Sequence, residues 1–197
     1  MRPLVFTLPG GLAFWTLYVV AFFPEIRLIF RTSGPRVPMS PQDSASLLGI
    51  VLGTQLALLV AFIVALAVPG AAIPRARQFI FWTGLGFLAA GALLRRHCFR
   101  MLGEYFTSAV RARPDQPVVE RGAYRWVRHP SYTAAGLMFV GIALALTNWL
   151  SLGIVVVAIT ATYAYRIHVE ERVLLETLGE RYRQYMRRTK RLVPFLF

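Results

Sequence analysis

Long apolar stretches without charged residues constrain this chain more than any other feature. A transmembrane helix needs about 20 mostly apolar residues to cross roughly 30 Å of hydrocarbon. Five runs of this kind predict an all-α integral membrane protein of about five transmembrane helices, with 1–197 forming a single membrane domain. The runs cover residues 4–23, 47–68, 79–94, 132–147 and 149–165.

The first run has a second interpretation, because an apolar stretch behind Arg2 also resembles a signal peptide. The run is followed by Phe22-Phe23-Pro24-Glu25, which contains no small-x-small cleavage site. We therefore expect a retained helix that stops at Pro24-Glu25. Residues 1–94 then form three N-terminal spans, and 95–197 form a polar connector, a helical hairpin and a C-terminal amphipathic helix.

The distribution of charge predicts how the chain lies in the membrane. The chain has a net charge of +13, although 56% of its residues are hydrophobic. A soluble nucleic-acid-binding protein would not need such long apolar runs. With five spans, 19 of the 22 basic residues fall on one side, together with the connector 95–128 and the C-terminal segment. The positive-inside rule makes that side cytoplasmic and the N-terminus external, and anionic lipid should contact the basic face.

Two polar segments, 116–132 and 166–171, flank the last two apolar runs. Only Asn148 separates these runs, which indicates a tight helical hairpin that returns the chain to the same face. The two segments should therefore be neighbours, and polar residues clustered at the ends of membrane helices can form a ligand site. Pro130 suits the first turn of a helix, where free N–H groups attract polar ligands.

The residues of these segments allow two interpretations each. Tyr124, Trp126 and Tyr132 can stack a purine or contact a cation, but an interfacial aromatic belt is the simpler explanation. Arg166 and Glu170 share a helix face at i, i+4, where a salt bridge is the simpler explanation. The functional alternative is that Arg166 binds a carboxylate while Glu170 holds a cationic or hydroxyl-bearing ligand.

Metal chemistry is not indicated by this sequence. Cys98 is the single cysteine, which excludes an internal disulfide and a thiolate cluster. The three histidines are scattered along the chain and do not have the spacing of a metal site.

The same residues resemble the isoprenylcysteine carboxyl methyltransferase family, over about residues 105–197. The block Gly122-Ala-Tyr-Arg-Trp-Val-Arg-His-Pro-Ser-Tyr132 is followed by an apolar hairpin, by Arg166-x-x-x-Glu170-Glu171 and by Leu178-Gly-Glu-Arg-Tyr182-x-x-Tyr185. Membrane methyltransferases that act on phospholipid amines share much of this pattern. The family often has proline in place of Ala123, and glycine soon after the tyrosine, where this chain has Thr133-Ala134. The first 100 residues match the family only in being hydrophobic.

The resemblance implies S-adenosylmethionine as cofactor, in a pocket of the cytoplasmic C-terminal half and without a Rossmann domain. It implies carboxyl O-methylation of an isoprenylcysteine-like acceptor, with Arg166 and Glu170 as catalytic residues and Arg166 facing the acceptor. The cofactor-binding residues that it implies are Gln116, Pro117, Val118, Val119, Tyr124, His129, Pro130, Ser131, Tyr132 and Glu170.

Two further functions stay open from the sequence. One is N-methylation of a phospholipid amine, in which Glu171 would accept a proton from the ammonium group. The other is a non-enzymatic transporter or assembly protein whose basic face only binds anionic lipid. The small residues of the third run can pack helices within one chain or between two, so the oligomeric state also stays open.

Overall fold

The computed structural model describes residues 2–32, 41–105 and 115–194, without the side chains of 28–32, 41–44 and 104. Four members of the predicted basic face, Arg31, Arg36, Arg111 and Arg113, therefore lie outside the described residues or side chains. Within those ranges the chain is helical, and its only β-type pairings are two isolated bridges. The α-helices are α1 (Gly10–Thr32), α2 (Pro41–Ala67), α3 (Arg77–Leu102), α4 (Pro130–Ala145), α5 (Trp149–Leu178) and α6 (Glu180–Arg188). Single 3-10 turns cover Leu4–Phe6, Pro69–Ala71, Gly103–Tyr105 and Gly122–Arg125.

α3, α4 and α5 begin close to the predicted positions, whereas α1 begins at Gly10 and not at residue 4, and α2 begins at Pro41 and not at residue 47. α1, α3 and α5 end well beyond the predicted positions. α1 continues through Pro24 to Thr32, since one missing N–H is tolerated in a helix that neighbouring helices support. α3 continues past Arg95 to Leu102, because Arg95 is paired with Glu25 of α1 and can stay inside the bundle. The predicted amphipathic helix is two helices, which Gly179 separates in a left-handed conformation at φ +58°.

The helices α2 and α5 run in opposite directions. Ser151 at the start of α5 donates a hydrogen bond to the carbonyl of Ala61 in α2, whereas Arg166 further along α5 contacts Ser46. The connection between α4 and α5 is three residues long, and the side chain of Asn148 accepts a hydrogen bond from the N–H of Ser151 at 3.0 Å. Antiparallel packing therefore gathers the ends of different helices at each end of the bundle.

Small residues allow α3 to pack closely on α4. A Cβ atom added to Gly84 would lie 2.6 Å from the carbonyl oxygen of Gly141, and one added to Gly91 would lie 2.6 Å from that of Ala134. Gly86 has open space beside it. The predicted small-residue stripe therefore packs helices within this chain at Gly84 and Gly91 but not at Gly86.

Three described helices are long and apolar enough to cross a bilayer, namely α2 from Ala45, α3 and α5. α4 is apolar but has 16 residues. Large apolar side chains are exposed on the outer face of α2, where lipid can cover them. They are Leu48, Leu52, Leu56, Leu59, Ile63 and Leu66. The number of five spans stays a prediction.

Candidate active site

The two polar segments meet where α4 begins and α5 nears its end. His129, which precedes α4, is 3% exposed. Its Nε2 atom lies 3.3 Å from Oε1 of Glu171, and its Nδ1 atom lies 3.8 Å from Oε2 of Glu170. Pro130 occupies the first turn of α4, as predicted, and is fully buried. The fold therefore brings both halves of the motif into contact across the α4–α5 pair.

The hydroxyl of Tyr132 lies between the two residues expected to be catalytic. It donates a hydrogen bond to Oε2 of Glu170 at 2.8 Å and accepts one from Nε of Arg166 at 3.4 Å. The Tyr132 ring packs between His129 and Tyr163, with centroid distances of 5.6 and 5.4 Å. Tyr132 therefore links the arginine to the carboxylate and is itself held by packing on both sides.

Arg166 and Glu170 differ in their surroundings. Arg166 is 3% exposed, and its Nη1 atom donates a hydrogen bond to the hydroxyl of Ser46 in α2. The Glu170 side chain is 29% exposed, so a ligand can reach its carboxylate. A buried guanidinium beside an accessible carboxylate can bind an anion and a cation at adjacent positions.

Glu171 has a different environment from Glu170. Its side chain is 6% exposed, and Oε1 accepts hydrogen bonds from Arg128 at 2.9 Å and lies 3.3 Å from His129. Oε2 accepts a hydrogen bond from Nε of Arg191 at 3.2 Å. Two guanidinium groups stabilise the ionised carboxylate and occupy both of its oxygens. Glu171 is thus suited to holding His129 in place and poorly suited to accepting a substrate proton.

The C-terminal basic run, Arg187-Arg188-Thr189-Lys190-Arg191, also contacts the site through its backbone. The N–H groups of Arg128 and His129 donate to the carbonyls of Lys190 and Arg191 at 2.8 and 3.0 Å. The hydroxyl of Thr133 donates to the carbonyl of Leu192 at 2.7 Å. Sequence reasoning missed this pairing, because backbone hydrogen bonds leave no side-chain signal, and the run was interpreted only as a lipid-binding face.

Residues 116–125 lie against the C-terminal helices. Val118 packs on an apolar cluster whose other members match the predicted amphipathic spacing, namely Leu174, Leu175, Leu178, Tyr182, Tyr185 and Met186. The hydroxyl of Tyr185 donates to the carbonyl of Tyr124 at 2.6 Å. These contacts bring Gln116 to Val119 to the side of the site formed by α5 and α6.

Tyr124 presents a polar group without a partner. Its hydroxyl is buried near the side chains of Cys98 and Ser131 and makes no hydrogen bond of normal geometry to any residue described. Burial raises the pKa of Tyr124, with Cys98 and the negative charge of Glu170 adding to the shift. Burial likewise raises the pKa of Tyr182, followed by the charges of Glu170 and Glu171. The charge of Glu170 therefore acts on the hydroxyls of Tyr124 and Tyr182, and Tyr132 contacts its carboxylate directly.

Side chains of α1 and α3 also contact this region. Arg95 of α3 donates to the carbonyl of Ser131 at 2.8 Å, forms an ion pair with Glu25 of α1 and lies 4.9 Å from the ring of Phe99. This arginine was predicted to close the third span, whereas it fixes the first turn of α4 from within the bundle. Sequence reasoning missed Ser46, Arg95, Arg128 and Arg191, because their partners are distant along the chain.

Comparisons with known proteins agree with the motif. The family model "Isoprenylcysteine carboxyl methyltransferase (ICMT) family" matches residues 83–176, which include His129, Arg166 and Glu170. The resemblance to the ICMT family is confirmed. The family match and the apolar helices together identify an integral membrane protein.

Curated relatives carry the name protein-S-isoprenylcysteine O-methyltransferase. The Schizosaccharomyces pombe protein is 29% identical over 116 residues, which are 58% of this chain and 49% of that protein. Methyltransferase B of Arabidopsis thaliana is 31% identical over 115 residues, which are 57% of this chain and 58% of that protein. The aligned part of this chain thus spans about half the length of the curated relatives that it matches.

A solved structure extends the likeness to most of the chain. The eukaryotic intramembrane Ras methyltransferase ICMT superposes with a TM-score of 0.60 and 25% sequence identity. The superposition covers 82% of this chain and 55% of the other. The likeness in structure therefore reaches beyond the 94 residues of the family match into helices that carry no sequence motif.

Proposed function

We propose that this protein transfers a methyl group from S-adenosylmethionine to the carboxylate of an isoprenylcysteine-like acceptor in the membrane. The observation that supports this most directly is the chain Arg166–Tyr132–Glu170, inside the segment that matches the ICMT family. Arg166 can bind an anionic acceptor and Glu170 a cationic cofactor, and the hydroxyl of Tyr132 contacts both residues. Curated relatives are named for the same reaction.

The residues present fit S-adenosylmethionine. When bound, this cofactor supplies a methyl group that is activated by a positively charged sulfur. Glu170 is an accessible carboxylate beside the ring of Tyr132, which suits a cation. The unpartnered hydroxyl of Tyr124 and the hydroxyl of Ser131 can bind polar groups of the cofactor.

The chain's own residues act chiefly by positioning. A carboxylate acceptor is already a nucleophile and needs no general base, so its orientation toward the methyl carbon governs the rate. Arg166 can bind the acceptor carboxylate through its planar guanidinium and aim one oxygen. Tyr132 fixes the separation between Arg166 and Glu170, and Glu171 fixes His129.

This arrangement favours a carboxylate acceptor over an amine. N-methylation of a phospholipid amine requires a proton acceptor, and Glu171 was the expected one. Because Arg128 and Arg191 stabilise its ionised form, Glu171 is a weak base. An assay that offers N-acetyl-S-farnesylcysteine and phosphatidylethanolamine side by side separates the two reactions, and we expect methylation of the first.

We also propose the orientation in the membrane. Five helices would cross, with the site, residues 95–197 and the C-terminus on the cytoplasmic side and the N-terminus outside. Glu25, Ser46, Arg95, His129 and Arg166 come together at one end of the bundle, which is the end rich in basic residues. Tags at the two termini should differ in protease accessibility in intact spheroplasts, and equal accessibility would exclude this topology.

Cofactor binding is tested by calorimetry with S-adenosylhomocysteine on the purified protein. We expect the wild type to bind and Glu170→Ala to weaken binding about tenfold or more, because a charge-assisted contact is lost. Glu176→Ala is the matched control, since Glu176 is an exposed glutamate of the same helix. No binding by the wild type, or equal binding by Glu170→Ala, would refute the assignment.

A further inference from the structure

We infer that Ser46 of α2 is a positioning residue for Arg166, so that the motif-free N-terminal half takes part in acceptor recognition. This inference rests on the proposed function of Arg166 in binding the acceptor carboxylate. The residues concerned are 120 positions apart in sequence, and their contact joins α2 to α5 at the end of the bundle where the site lies.

The environment of Ser46 is unusual for a helix that faces lipid. Its side chain is 1% exposed and hydrogen-bonded, although most large side chains of α2 are apolar and many are exposed. A buried hydroxyl costs free energy unless it is hydrogen-bonded. The Nη1 donor of Arg166 supplies such a bond to Ser46.

Two helices thus hold the guanidinium at different nitrogens. Ser46 accepts from Nη1 on one side, and the Tyr132 hydroxyl accepts from Nε on the other. An arginine side chain loses considerable rotamer entropy when it is fixed, and binding is stronger when that loss occurs before the ligand arrives. Ser46 therefore pre-organises Arg166 for a planar, charged acceptor group.

A second buried serine between α2 and α5 provides a matched control. Ser151 is also a buried serine at this interface, and its hydroxyl donates to the carbonyl of Ala61 at 2.7 Å. It lies at the opposite end of the bundle, near Asn148. Ser46→Ala and Ser151→Ala each remove one buried hydroxyl between the same two helices, but only the first is in contact with Arg166.

The test measures methyl transfer to N-acetyl-S-farnesylcysteine and inhibition by its neutral amide analogue. We expect Ser46→Ala to raise KM for the carboxylate about 3- to 10-fold and to lower kcat by a smaller factor, while KM for S-adenosylmethionine stays within about twofold. Inhibition by the amide should be unchanged, because the amide carries no charge for Arg166 to bind. Ser46→Thr, which keeps a hydroxyl, should restore part of the lost affinity.

Several outcomes would overturn the inference. One is an unchanged KM for the carboxylate acceptor in Ser46→Ala. Another is an equal loss of affinity for the carboxylate and for the amide. A third is an equal rise of KM in Ser151→Ala. If the wild type transfers no methyl group, the proposed function fails separately. A double-mutant cycle of Ser46→Ala with Arg166→Gln, measured by melting temperature in detergent, then tests whether the two side chains interact. Additive effects of the two substitutions would show that they do not.

Discussion

Replacing Tyr132 with phenylalanine tests the proposed arrangement at its central atom. The change removes only the hydroxyl that joins Glu170 to Arg166, at 2.8 and 3.4 Å. The ring keeps its packing against His129 and Tyr163. The substitution therefore alters the spacing and orientation of the two charged groups with little effect on the fold.

The expected magnitude follows from the charge on Glu170. Hydrogen bonds to charged groups contribute about 1.5–3 kcal/mol, and the contact to Glu170 is the shorter and stronger of the two. A loss of that size in transition-state stabilisation corresponds to a decrease in kcat/KM of about 10- to 100-fold. The melting temperature in detergent should fall moderately, because buried Arg166 loses one oxygen partner while the packing of the ring is kept.

The assay is single-turnover and steady-state methyl transfer from labelled S-adenosylmethionine to N-acetyl-S-farnesylcysteine. Tyr163→Phe is the control, since it removes a hydroxyl from the adjacent ring on α5. The reasoning is refuted if Tyr132→Phe stays within about threefold of the wild type, or if Tyr163→Phe loses as much activity. The double variant Tyr132→Phe/Glu170→Gln should be little worse than Glu170→Gln alone, because both changes disrupt one unit.

Two further predictions concern stability. Glu171→Ala leaves Arg128 buried without its carboxylate partner and should lower stability by about 3–5 kcal/mol, visible as a lower melting temperature, whereas exposed Glu176→Ala should have little effect. Equal melting temperatures would contradict the structural function of Glu171. Gly91→Ala introduces a Cβ atom 2.6 Å from a carbonyl of α4 and should cost about 1–3 kcal/mol, whereas Gly86→Ala faces open space and should be tolerated in the same thermal assay.

The helices were predictable because lipid imposes a minimum length on apolar runs. The run at 149–165 falls inside α5, the run at 47–68 falls inside α2 except for its last residue, and Pro130 begins α4 where its missing N–H is not needed. The ends were less predictable, since Pro24 and Arg95 look like terminators in sequence. Arg95 is accommodated because Glu25 of a neighbouring helix pairs with it, and Pro24 because a helix inside a membrane bundle tolerates one missing N–H.

Part of the candidate site was predictable from the sequence, and part was not. His129, Tyr132, Arg166 and Glu170 were found from motif residues that lie within 42 positions of one another, and the α4–α5 connection brings them together. The contact with Ser46 spans 120 positions. A serine before an apolar run carries no signal of its partner, so only the packing of α2 on α5 identifies it.

The basic residues fall into two groups, exposed and buried, and each group has a different explanation. Exposed arginines of α6 such as Arg181 and Arg187 can face water and lipid phosphates, and their number sets orientation in the membrane. Arg128 and Arg166 are buried, and each needs oxygen partners to offset the cost of leaving water. The chain has only 9 acidic residues, so the few carboxylates near the site decide which arginines can be buried there. Because Glu171 is paired with Arg128 and Arg191, the more accessible Glu170 is the carboxylate that we propose for the cofactor.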